Sequence, residues 1–252
     1  MTPPSDPSTT LVYEAARAAV AHGISVVPAA EDGTKRPAVA WLVYRRRLPT
    51  QAELLRWFRR ERRAGLCFVC GEVSGGLEML EFEDRSVYAA YKVLAEETGL
   101  ELLLERIEAG FSSASPGGGV HLVYRCDEVA ANTVLAKRPK QLEERRDPRD
   151  TDAVVAETRG EGGVTIEPPS GGGVHPTGRP YRQLRGGVAT IARILPGERR
   201  ELLGLVRTLD RRQPVPPREP RPPRPTVSGT RPGDAYNDAA DVRALLGSHG
   251  WA

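Results

Sequence analysis

Leu77-Glu78-Met79-Leu80-Glu81-Phe82-Glu83 is the stretch on which the reading of this chain turns. Its apolar run predicts a strand over 77–83. On a strand, residues i and i+2 share a face, so Glu81 and Glu83 point the same way. Two carboxylates a few ångströms apart on one face repel each other unless a cation lies between them. Hard oxygen ligands of this kind suit Mg²⁺ or Mn²⁺. The bland reading of the pair is the outward face of an amphipathic strand, so it needs support from elsewhere in the chain.

Two later stretches supply it. Gly117-Gly118-Gly119-Val120-His121-Leu122-Val123-Tyr124 puts His121 on a predicted strand over 120–126. The three glycines before it permit close backbone approach to a ligand. Val154-Val155-Ala156-Glu157-Thr158-Arg159-Gly160 closes a predicted strand over 152–158 with Glu157. A lone histidine reads as structural, and each signal alone is weak. The ordered set of acids and imidazole is much stronger.

Around these stations the pattern predicts helices over 9–22, 50–63, 85–98, 101–109 and 196–211. Thr50 and Glu53 form a capping box for the second, and Gly99 splits the third from the fourth. Further strands are predicted at 24–28, 66–70, 111–115 and 163–167. A loop over 31–41 carries Lys35, Pro37 and Trp41. Two successive helices between strands argue for an α+β fold rather than a strict βαβ array. Residues 9–211 read as the folded domain. Residues 212–232, rich in Pro and Arg, read as a semi-rigid extended linker, and 233–252 as a short C-terminal helical tail too small to fold alone.

The 39% hydrophobic content suffices for a core, while 22 Pro and 26 Gly imply much loop. No apolar run is long enough to span a membrane. The N-terminus lacks a signal pattern, and the three cysteines are an odd number, so a reducing, cytoplasmic location is expected. Cys67 and Cys70 form a C-x-x-C, but the second pair that a closed zinc site needs is missing, and a buried strand explains them. Net charge is only +3, so any nucleic-acid surface must come from local clustering. One cluster exists, with eight arginines between Arg45 and Arg63. It reads equally as a solvated helix face or as a binder of backbone phosphates, with Arg59, Arg60, Arg62 and Arg63 as the DNA-binding candidates.

The apolar-strand E-x-E, then GG-x-H, then a strand-end acid with Arg-Gly, resembles the bifunctional DNA primase/polymerase domain of the archaeo-eukaryotic primase superfamily, as found in phage and mobile-element replication proteins. Lys35-Arg36-Pro37 with Trp41 resembles that family's N-terminal K-x-P…W loop. Gly162-Gly163, Pro168-Pro169-Ser170 and His175-Pro176-Thr177-Gly178-Arg179-Pro180-Tyr181 resemble its late G-G…P-P-S…H-x-x-G-x-x-Y stretch. The closing Pro232-Gly233-Asp234…Gly250-Trp251 segment resembles the region C-terminal to this domain in such proteins, where a helicase-type domain often comes next.

The resemblance implies an RRM-like catalytic unit packed with a smaller N-terminal α/β unit, with the active site in the cleft between them. It implies that Glu81, Glu83 and Glu157 bind two Mg²⁺ or Mn²⁺ ions. It also implies that His121, in a wet cleft, binds the phosphates of an incoming (d)NTP. Arg159, Ser170 and Lys35 are further nucleotide contacts by the same likeness. A single-stranded DNA template is the expected partner, with a replicative helicase as a second. The activity implied is metal-dependent, template-directed nucleotidyl transfer. Two departures support an alternative, a weakly active or inactive nucleotide- and ssDNA-binding replication-initiation module. The family usually has Asp at the first and third acid positions, where this chain has Glu, and often Ser where it has Gly119. A nuclease on the same core would need paired histidines, and no His-x-His occurs.

Overall fold

The fold was taken from a computed structural model, which describes residues 7–212 and residue 241. The helices are α1 (Pro7–Ala21), α2 (Gln51–Leu54), α3 (Arg85–Glu97), α4 (Glu101–Gly110) and α5 (Pro196–Arg207). The strands are β1 (Val26–Pro28), β2 (Leu66–Val69), β3 (Leu77–Phe82), β4 (Phe111–Ala114) and β5 (Val120–Arg125). They continue with β6 (Thr133–Pro139), β7 (Asp152–Arg159), β8 (Val164–Glu167), β9 (Arg182–Gly186) and β10 (Ala192–Arg193). The described residues form a mixed α/β fold with two sheets. The smaller has the order β1-β2-β8 and the larger β6-β7-β3-β5-β4-β9. All of these neighbours pair antiparallel, and β10 adds a short parallel pairing to β5 beyond the end of β4.

Strand β3 owes its central place to its two apolar faces. Leu80 and Phe82 point toward α3, α4 and α5, where Phe82 packs against Tyr91 with ring centroids 4.8 Å apart. Leu77 and Met79 point the other way, into a second core with Phe68, Phe111, Trp57 and Phe58. Burying a side chain of this size contributes roughly 1.5–3 kcal/mol, so β3 is anchored from both sides. Asp84 then caps α3 by accepting a hydrogen bond from the Ser86 N–H at 2.6 Å. Gly99, at φ +76°, makes the turn between α3 and α4 that a side chain would resist.

The helix predicted over 50–63 begins with its capping box, but regular α geometry ends at Leu54. A π-helical stretch continues over Leu55–Arg60, and the Glu61 N–H reaches back to the Arg56 carbonyl at 2.9 Å. The neighbours Trp57 and Phe58 are both fully buried. The wider turn lets two adjacent bulky rings face one core, which ideal helical spacing would not. Trp57 packs edge-on against Tyr44 and Phe58.

The helix predicted to Arg211 ends at Arg207. Strands β6 and β9 escape the sequence pattern. Strand β9 is an exposed edge whose residues, Arg182-Gln183-Leu184-Arg185-Gly186, carry no buried face to betray it. Strand β6 pairs with register shifts that break its alternation. Cys67, Cys70 and Cys126 are buried free thiols. No helix among the described residues is long and apolar enough to cross a membrane. The linker and tail assigned to 212–232 and 233–252 fall, apart from Arg212 and Asp241, outside the described residues.

Candidate active site

Strand register builds the site. Glu81 lies directly across from His121 on β5 and from Glu157 on β7. Ser113 on β4 stands across from His121 in turn. Residues opposite one another in an antiparallel pair project to the same face, so one row carries Glu157, Glu81, His121 and Ser113. Glu83 lies two residues beyond Glu81, just past the strand, where its N–H is held by the Val155 carbonyl at 3.0 Å.

One carboxylate oxygen each from Glu81, Glu83 and Glu157 lies within 4.8 Å of the others. They line a cavity of about 340 Å³ with His121, Arg159, Lys35 and Tyr181. Burial pushes the Glu81 carboxyl up, but His121, Arg159 and Lys35 together hold it below the usual range. Glu83 goes the other way: desolvation, then repulsion from Glu81 and Glu157, push it up. Glu157 is also raised, by burial, although Arg159 bonds to it directly and pulls it down. Two of the three carboxyls, Glu83 and Glu157, are therefore held above their usual range, and the neighbouring cations bring only Glu81 below it. Oxygen donors so placed fit a hard divalent cation.

His121 lines the cavity but is largely shielded from solvent there. It is only 3% exposed. Its Nδ1 lies 3.0 Å from a Glu167 oxygen and its Nε2 3.3 Å from a Glu81 oxygen. Burial pulls the imidazole down, yet the two carboxylates outweigh it and raise the ring to about 10. The charged ring therefore donates through both nitrogens, to Glu167 and to Glu81.

Glu167 is the residue that sequence reasoning missed. It is fully buried at the end of β8, in the smaller sheet. Its carboxylate accepts from Ser113 Oγ at 2.7 Å, Thr165 Oγ1 at 2.8 Å and His121. Its sequence signal was a charged residue inside the apolar run before Pro168, and nothing local pointed to His121.

The remaining predicted residues divide. Lys35 and Arg159 line the cavity. Lys35 adopts a left-handed φ of 59°, a strained choice for a side chain in a loop at a cavity wall. Ser170 does not line it. It is fully buried, accepts from the Leu66 N–H at 2.8 Å and donates to the Glu167 carbonyl at 2.6 Å, so it ties β2 to the chain after β8. Arg59, Arg60, Arg62 and Arg63 lie at the end of the π-helical stretch and just after it, none of them lining the cavity. Arg59 stacks over Tyr13, with its guanidinium carbon 4.6 Å from the ring centroid, and donates to Thr10.

A family model described as bifunctional DNA primase/polymerase, N-terminal, matches residues 15–198. The match covers more than half of the chain and includes every residue of the cavity. No curated protein matches the sequence.

Proposed function

Because the chain belongs to the bifunctional DNA primase/polymerase family, we propose that it is a template-directed nucleotidyltransferase that primes or extends DNA during the replication of a phage or mobile element. The observation that carries this reading is the convergence of Glu81, Glu83 and Glu157 within 4.8 Å beside three cationic side chains. The strand order β7-β3-β5-β4, with α3 and α4 between β3 and β4, supports the RRM-like reading of the catalytic unit.

Glu81, Glu83 and Glu157 would hold the divalent ions. Bound there, such ions would supply Lewis acidity, which would make a primer 3′-hydroxyl more acidic and offset negative charge on the phosphates. The protein's own share is positioning and charge. Phosphoryl transfer needs little else, because charge builds on the transferred group and its leaving oxygens. Lys35 and Arg159 present cations to the same cavity and neutralise triphosphate oxygens there. His121 adds a fixed positive charge, and Glu167 sets its orientation from behind.

The test is a primer-extension and de novo priming assay with Mn²⁺ or Mg²⁺, run on wild type and on Glu81→Ala/Glu83→Ala. Wild type should incorporate nucleotide and the double variant should not. One observation favours a binding-only module instead: both nitrogens of His121 are already engaged by carboxylates. Wild type that binds nucleotide and Mn²⁺, yet incorporates nothing on any template, would establish that reading and sink ours.

A further inference from the structure

A second concavity, of about 360 Å³, lies beside the cavity. It is lined by Arg85, Arg179 and Arg182 and by the Pro116-Gly117-Gly118 turn, and no acidic residue lines it. Three chain segments join it to the carboxylates. Glu83 lines the cavity and Arg85 the groove; Tyr181 lines the cavity, and Pro180 and Arg182 the groove; His121 comes three residues after Gly118. The groove and the carboxylate cavity are thus walled by the same three chain segments.

The charge in the groove is unspent. Arg85 and Arg182 are exposed and form no ion pair among the described residues. The Arg179 guanidinium donates to the Pro116 carbonyl at 2.5 Å and faces no carboxylate among the described residues. In the arginine-rich stretch over 45–63, by contrast, four guanidinium groups are already paired. Arg47 faces Glu53, Arg56 and Arg63 face Glu61, and Arg59 faces Glu14. Guanidinium groups that already face a carboxylate gain less from a phosphate than unpaired ones that converge. The glycines help too, because a backbone without side chains lets a polyanion approach closely.

We propose that Arg85, Arg179 and Arg182 form a phosphodiester-binding groove that carries the backbone of a single-stranded nucleic acid to the carboxylate site. Naming that strand as template or primer rests on the nucleotidyl-transfer reading; the binding itself does not.

The test uses the full chain, a chelator to remove divalent ions, and a short labelled single-stranded oligodeoxynucleotide monitored by fluorescence anisotropy across a salt series. Arg85→Ala/Arg182→Ala changes two exposed side chains, so the fold is kept. It should weaken binding about tenfold or more and flatten the salt slope by about 1.4, the share of two phosphates on a single strand. The affinity for a nucleoside triphosphate with Mn²⁺ should stay the same. Unchanged oligonucleotide affinity and slope would overturn the proposal. So would a loss confined to the triphosphate, which would make the groove a nucleotide subsite, and so would a larger loss in Arg60→Ala/Arg63→Ala. Wild type that fails to bind the oligonucleotide also overturns it. Failure of the nucleotidyl-transfer reading shows separately, as wild type that binds the strand but incorporates nothing.

Discussion

Glu78 and Glu81 stand three residues apart on β3, on opposite faces of one sheet, in opposite circumstances. Glu78 is fully buried, and every part of its carboxylate is answered. Arg199 on α5 donates to it twice, at 2.6 and 2.7 Å, and the Tyr124 hydroxyl donates at 2.7 Å. Glu81 shares its space with Glu83 and Glu157, and Glu83 makes no side-chain hydrogen bond among the described residues. One buried carboxylate matched by a fork of N–H donors is a closed unit that holds α5 on the sheet. Three carboxylates with only partial compensation leave a place for a cation. Charge alone does not mark a functional acid; the balance of partners around it does.

The sharpest way to break the contrast is Arg199→Ala. It strands the Glu78 charge in the core, and losing one partner of a buried pair costs about 3–5 kcal/mol. Denaturant unfolding should show a loss of that size. A loss below about 1 kcal/mol, within reach of an ordinary exposed pair, would mean that the pair is not the clasp described above.

Glu167→Gln probes the case between, a satisfied carboxylate that serves the open site. It removes the charge that His121 and two hydroxyls share, so stability should fall by about 1–3 kcal/mol. Because His121 also bonds to Glu81, Mn²⁺ affinity or nucleotide incorporation should fall by about 10- to 100-fold, the usual effect of losing a partner behind a ligand. A stability loss with unchanged Mn²⁺ affinity and incorporation would make Glu167 purely structural.

The smallest effect on stability should come from Glu83→Ala. Removing a crowded, exposed carboxylate should leave the unfolding free energy in chelator within about 0.5 kcal/mol of wild type, with any change toward greater stability. Calorimetry on the same variant should show Mn²⁺ binding lost. A destabilised variant that still binds Mn²⁺ would erase the distinction between the two faces of β3.

The sequence alone determined the elements that local rules control. The alternation in Leu77–Phe82 placed Glu81 and Glu83 on one face, the Thr50–Glu53 box began its helix, and Gly99 separated α3 from α4. It also carried the family, because ordered motifs survive in a string of letters. Tertiary structure decided what each buried charge is for. Glu78 meets Arg199 from 121 residues away, and His121 meets Glu167 across 46. Nothing near Glu78 or Glu167 in sequence distinguishes a clasp from a support. That difference arises only when strand register and helix docking set the donors around each carboxylate, and in a low-dielectric interior those donors fix its cost and its use.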